Sequence, residues 1–122
     1  MLVVLWAARV FALTIAVQVF IAGMALFVNA DWTAHTVFAR SFVILPIVMI
    51  LVSFIGRLPV TYRLRSIQLL VMVILMFVTA GLSSVVAIIS ALHPVIAVAM
   101  FSSAMTLAKL AAADSGAQGA TG

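Results

Sequence analysis

The two histidines, His35 and His93, are the side chains best suited to chemistry in this sequence. They are the only histidines among 122 residues, of which 68% are hydrophobic and 7% are charged. A neutral imidazole offers a ring nitrogen to a metal ion, and two imidazoles in a helical bundle can hold a haem iron from both faces. Whether these two can do so depends on the elements that carry them.

Few other side chains are available for catalysis or metal binding. The chain has no cysteine and no glutamate, and its only carboxylates are Asp31 and Asp114. This excludes disulfides, iron–sulfur clusters, covalent c-type haem and paired-carboxylate catalysis, so we expect no enzymatic activity. The basic residues give a net charge of +4 but are scattered, which favours membrane topology over a nucleic-acid partner.

Four long apolar runs predict an all-α bundle that crosses the lipid bilayer. The mean hydropathy is +1.47, and a membrane-spanning helix needs about 20 apolar residues. The predicted spans are 8–28, 32–55, 66–89 and, after a turn at 90–94, a run that ends near Lys109. We predict an up-down-up-down four-helix transmembrane domain over 1–110 and a disordered cytoplasmic tail over 111–122.

The arginines predict how the bundle lies in the membrane. Arg57, Arg63 and Arg65 fall in a polar loop between spans two and three, so this loop and both termini should be cytoplasmic. His35 and His93 open spans two and four, on the outer side. These spans are diagonal in such a bundle, so the two imidazoles should face each other.

A weak internal repeat supports this arrangement. Shifting the chain by 58 residues places His35 on His93 and the pair Ala22-Gly23 on Ala80-Gly81. A duplicated helical hairpin, with its axis along the membrane normal, would make the imidazoles equivalent. Gly23 and Gly81 would leave room for a porphyrin, although close helix packing alone also explains small residues.

Two polar residues inside the predicted spans require partners. Arg40 lies about two turns inside span two, with no internal carboxylate near it. It can snorkel to the outer headgroups, or bind a haem propionate, a quinone carbonyl or a carboxylate on another subunit. Gln18 in span one should form an interhelical hydrogen bond. The histidines have a second interpretation as interfacial first-turn residues that hydrogen-bond to a loop.

Short motifs at both histidines resemble known families. Trp32-Thr33-Ala34-His35 and Leu92-His93-Pro94 resemble an uncharacterised family of small bacterial four-helix membrane proteins over about residues 10–105. More distantly, one histidine on helix two and one on helix four is similar to half of haem A synthase and to cytochrome b bundles. That resemblance implies axial ligation by His35 and His93. The chain lacks the glutamate beside the first histidine of haem A synthase, so synthase chemistry is not implied.

Two functions from different classes follow as hypotheses. The first is a b-type haem protein of the bacterial inner membrane that transfers single electrons near the outer face, to or from a quinone or a partner complex. The second is a cofactor-free accessory subunit that packs against other membrane subunits of a larger respiratory or photosynthetic complex. A small transporter is a weaker third, because the spans have no acidic residue and no clearly broken helix is expected.

Overall fold

The computed structural model describes residues 1–82 and 85–119, whose regular structure is all α-helix. The helices are α1 (Leu2–Phe27), α2 (Thr33–Ser41), α3 (Ile44–Ile55), α4 (Val60–Gly81), α5 (Ala87–Ser90) and α6 (Leu92–Gly119). Four stretches of the described chain are long and apolar enough to cross a membrane: α1, α2 with α3, α4, and Ile88–Ala117. The predicted all-α four-helix class is therefore confirmed.

The outer faces of the helices are those of a multi-pass membrane protein in contact with lipid. Large apolar side chains point away from the bundle, and Phe27 and Ile55 are 86% and 80% exposed. Water would strongly disfavour so much exposed apolar surface, whereas hydrocarbon solvates it at no cost. Backbone polar groups are satisfied inside the helices, as a lipid environment requires.

Each span packs on two neighbours, which gives the predicted order. Helix α1 contacts α6 and the α2–α3 span, while α4 contacts α3 and α6. Spans one and three are therefore one diagonal, and spans two and four are the other. Large buried side chains fill the bundle toward the end that holds both termini: Phe11, Tyr62, Leu69 and Leu107.

The chain after Ala111 differs from the sequence-based expectation. Disorder was predicted for 111–122 from its small, polar composition, but α6 continues to Gly119. Alanine has the highest helix propensity, and Ala111 is fully buried. The hydroxyl of Tyr62 on α4 donates a 2.6 Å hydrogen bond to the Asp114 carboxylate, which fixes this end of α6 to the bundle. Residues 120–122 lie outside the described residues.

The polar loop before span three is also shorter than predicted. Helix α4 begins at Val60, not at Ser66, and ends at Gly81. Arg63 and Arg65 therefore lie on its first two turns, and the connection from α3 is only 56–59. Charge suggested a loop, but a helix end at the membrane boundary accommodates arginines by extending their aliphatic stems along apolar surface.

Span two is broken, which the sequence analysis did not expect. Helix α2 ends at Ser41 and α3 begins at Ile44. Pro46 has no backbone N–H to give to the Phe42 carbonyl four residues earlier, and the Leu45 N–H takes that carbonyl at 3.1 Å instead. The break turns the buried Phe42 ring toward Phe11 of α1, with ring centres 5.6 Å apart.

Candidate functional site

The two histidines meet inside the bundle, at the end opposite the termini. His35 lies on the first turn of α2 and His93 on the first turn of α6. Their ring centres are 6.4 Å apart, with a 50° angle between the ring planes. Both side chains are half-buried. The predicted approach of the two imidazoles across the diagonal is therefore present.

The turn before α2 orients His35. The Thr33 backbone N–H donates to the Asp31 carboxylate at 3.0 Å, so Asp31 accepts from the first turn of α2. Hydrogen bonds from Thr33 hold the pKa of the Asp31 carboxyl below its ordinary value. The Trp32 ring lies edge-on to His35, with centres 5.5 Å apart.

Thr79 on α4 holds His93. The Thr79 Oγ1 lies 3.2 Å from His93 Nδ1, and the same hydroxyl lies 3.0 Å from the carbonyls of Leu75 and Met76. A hydroxyl has one hydrogen, and here a helix carbonyl accepts it. The Thr79 oxygen is therefore placed to accept the Nδ1–H of His93. In the tautomer with the proton on Nδ1, the Nε2 lone pair would be available to a metal ion.

Gln18 of α1 ties His35 to the neighbouring span. Its Nε2 donates to the His35 carbonyl oxygen at 2.7 Å, which confirms the expected interhelical hydrogen bond. Gln18 Oε1 and His35 Nδ1 are buried and have no hydrogen-bond partner within the described chain. A buried polar atom without a partner is energetically costly. A ligand that pairs with these two atoms would remove that cost.

Two cavities adjoin the histidines, with volumes of about 140 and 270 Å³. Ala39, Arg40, Phe77 and Ala80 line only the smaller cavity, whereas Ala22, Gly23 and Ala97 are among those that line only the larger. Together the volumes reach the lower part of the range of about 300–1,000 Å³ that is typical of cofactor sites. Six residues line both cavities: Gln18, His35, Phe42, Met76, His93 and Met100.

The two glycines of the internal repeat are not equivalent here. Gly23 lines the larger cavity, whereas Gly81 is exposed and lines neither cavity. A Cβ added at either glycine would meet no atom within 4 Å. Arg40 lines the smaller cavity with its side chain exposed.

Three residues of this site were not predicted from the sequence: Met76, Met100 and Thr79. The direction in which each of these side chains points depends on the rotation of α4 or α6 about its axis. A uniformly apolar sequence does not reveal that rotation. The available signal for Thr79 was a polar side chain within an apolar span, one helical turn after Met76.

Comparison with known proteins places the chain in a family. No curated protein and no solved structure matches the chain, so the similarity to haem A synthase and cytochrome b stays a prediction. One family model, described as a family of unknown function, matches residues 18–84. This segment contains Gln18, His35 and Thr79 and ends before His93. It covers more than half of the sequence, and the chain therefore belongs to this family of unknown function, DUF6220.

Proposed function

We propose that this membrane protein binds one b-type haem between His35 and His93 and transfers single electrons. The separation of the imidazoles is the observation that carries the proposal. A ring nitrogen lies about 2 Å from a bound metal ion, so imidazoles on opposite sides of one ion have ring centres about 6 Å apart. The measured separation is 6.4 Å.

The surroundings of the histidines also suit a flat cofactor. The two cavities share both histidines as wall residues, so a plate between the rings would extend into each cavity. Both cavities are mostly apolar, and the partnerless nitrogen of His35 is available to a ligand. These features fit a porphyrin edge better than a hydrated ion, which would need more polar partners.

The polar groups at the site indicate how the haem would be oriented between the two cavities. Thr36 and Arg40 lie one turn apart on α2, and both line the smaller cavity. Carboxylates form strong charge-assisted hydrogen bonds with a guanidinium, so Arg40 would hold a propionate there. The larger cavity, lined by Gly23, Leu26 and other apolar residues, would take the apolar edge.

The chain's own residues would keep this chemistry to electron exchange. A bis-histidine haem supplies a reversible one-electron couple. With both axial positions taken by imidazoles, no site would remain open for oxygen or a substrate, so we propose no enzymatic activity. Thr79 would fix the tautomer of His93, and Gln18 would fix the position of His35 against α1. The electron partner would be a quinone or another membrane protein.

The charge distribution supports an orientation of the bundle in the membrane and thereby a location for the histidine pair. Arg57, Arg63, Arg65 and Lys109 lie toward the end of the bundle that holds both termini, opposite the histidines. By the positive-inside rule, the termini would lie in the cytoplasm and the histidine pair near the outer face of the membrane, which we propose is a bacterial inner membrane. Fusion of a periplasm-sensitive reporter to either terminus checks this orientation, and reporter activity in the periplasm would reverse it.

A visible spectrum of the purified chain tests the proposal. The protein would be prepared in mild detergent, with haem added during expression, and recorded oxidised and after reduction with dithionite. We expect a Soret band and sharp α and β bands in the reduced protein at about one haem per chain. A protein that stays colourless after haem is added would refute the proposal.

Replacing Thr79 with valine should weaken haem binding by about tenfold, because partners of a metal-bound histidine typically contribute this much to affinity. The change removes the acceptor for His93 Nδ1–H and keeps the shape of the side chain. We also expect an altered electron paramagnetic resonance spectrum of the ferric protein.

The conservative variant Thr79→Ser, which keeps the hydroxyl, should restore both properties. Thr106→Val is a matched control, because the Thr106 hydroxyl donates only to the Ser102 carbonyl on an exposed face. If Thr79→Val binds haem with unchanged affinity and spectrum, Thr79 does not position His93.

One observation favours the second hypothesis, an accessory subunit without a cofactor. Arg40 is exposed within span two, and it has no ion pair in the described part of the chain. An unpaired arginine on a membrane-spanning helix is costly unless it snorkels or meets a partner. A carboxylate on a neighbouring subunit would satisfy it.

Under this second hypothesis, Arg40→Gln should reduce co-purification with partner subunits by about tenfold, because it leaves the partner's carboxylate buried and unpaired. The measurement is mild-detergent pull-down from native membranes with quantitative mass spectrometry. Arg9→Gln, at the other end of the bundle, is the control. Unchanged recovery of every partner in the Arg40 variant would remove the main support for an accessory role.

A further inference from the structure

The corner between α3 and α4 combines fixed arginines with apolar surface. The connection is only 56–59, and two hydrogen bonds close it: Arg57 N–H to the Phe54 carbonyl at 3.2 Å, and Leu58 N–H to the Ser53 carbonyl at 3.0 Å. Arg57 adopts a left-handed backbone with φ of 48° and is exposed. This tight turn fixes where the Arg57 side chain leaves the backbone.

Arg63 of α4 points back to the same corner. Its guanidinium carbon lies 5.2 Å from the centre of the Phe54 ring, a cation–π contact that holds the side chain against α3. Its Nε is buried and has no hydrogen-bond partner in the described chain. Arg57 in the connection and Arg63 on the first turn of α4 thus place two arginines at the α3–α4 corner.

Within the described residues, neither aspartate forms an ion pair with these arginines. Asp31 lies at the opposite end of the bundle, where it accepts from Thr33. Asp114 accepts the hydroxyl of Tyr62. Since the sequence contains no other acidic side chain, the two guanidinium groups are open to an anion from outside the chain.

The surface beside the arginines indicates what that molecule is. Phe54, Ile55 and Val60 are 50%, 80% and 64% exposed and flank the corner on both helices. They end one membrane span and begin the next, so the arginines lie at the level of the lipid headgroups. A ligand that carries an anionic group next to hydrocarbon chains fits both features, whereas free phosphate lacks the second.

We propose that Arg57 and Arg63 form a binding site for the phosphodiester group of an anionic phospholipid. Guanidinium groups match phosphate oxygens in geometry and charge. The acyl chains would lie on Phe54, Ile55 and Val60. The site is far from the histidines, so it stands whether or not haem is bound.

Native mass spectrometry of the full-length protein, released from nanodiscs of equal phosphatidylglycerol and phosphatidylcholine, tests the site. We expect retained phosphatidylglycerol to exceed phosphatidylcholine, and the double variant Arg57→Gln/Arg63→Gln to lower its retention by roughly tenfold or more. Lys109→Gln removes one charge from α6 and should retain the lipid. Arg57→Lys/Arg63→Lys keeps the charge and should retain it in part.

Three outcomes would overturn the proposal. The first is equal retention of both lipids by the unmodified chain. The second is unchanged phosphatidylglycerol retention in the double glutamine variant. The third is displacement of the lipid by millimolar glycerol 3-phosphate, which would make it a site for soluble phosphate. Far-UV circular dichroism and the melting temperature confirm that each variant is folded, and Phe54→Leu tests whether the ring fixes Arg63.

Discussion

His93→Ala should eliminate haem from the purified protein, and His35→Ala should do the same. Each imidazole would supply one of the two axial ligands. A haem held by a single half-buried histidine would bind weakly and would be lost to an added haem-binding protein. The expected measurement is the loss of the Soret and reduced α bands after purification, at unchanged helix content by circular dichroism.

The two variants differ in what else they remove. His35→Ala keeps the backbone carbonyl that accepts from Gln18 Nε2, so the hydrogen bond between α1 and α2 survives. His93→Ala leaves the Thr79 hydroxyl bonded to carbonyls of its own helix. Neither change should unfold the bundle, whose large buried residues lie toward the other end.

Added imidazole distinguishes a lost ligand from a lost fold. It fits the space left by the side chain and should restore the low-spin spectrum in either variant. A variant that keeps its full haem content without imidazole would show that the replaced histidine is not a ligand. If both variants keep it, the pair has the interfacial role that the sequence also allows.

The architecture was predictable because it depends on coarse properties of the chain. Apolar runs of sufficient length, interrupted near Asp31, at Gly56 and before His93, define four spans, and short connections define their order. The approach of His35 to His93 follows from the same facts, because both residues begin spans on one diagonal. No detail of side-chain packing was needed.

The errors arose where local composition was read without its tertiary context. The segment after Ala111 is low in hydropathy, yet alanine favours a helix and Tyr62 anchors Asp114. Pro46 was visible in the sequence, but the distortion of a helix depends on whether a neighbouring N–H can reach the freed carbonyl. Thr79 could not be placed because the rotation of span three about its axis cannot be read from a uniformly apolar sequence.

Gly23→Leu should weaken haem binding while the fold remains intact. Gly23 lines the larger cavity, and a Cβ there meets no atom within 4 Å, so the isobutyl group enters empty space. Leucine also has a higher helix propensity than glycine, by about 0.8–1 kcal/mol, so the helix itself should be at least as stable. A cofactor edge in that cavity would instead meet the added side chain, and such overpacking should lower haem affinity by about tenfold or more.

Gly81→Leu is the matched control for this substitution. It makes the same chemical change at the repeat-related glycine, where a Cβ also meets no atom within 4 Å, but Gly81 lines neither cavity. Titration of the haem-free proteins, followed at the Soret band, should therefore separate the two variants. Equal loss of affinity in both would mean that glycine is needed for helix packing or flexibility. Unchanged affinity in Gly23→Leu would mean that the cofactor does not extend between α1 and α6, and the larger cavity would then have to be assigned to lipid.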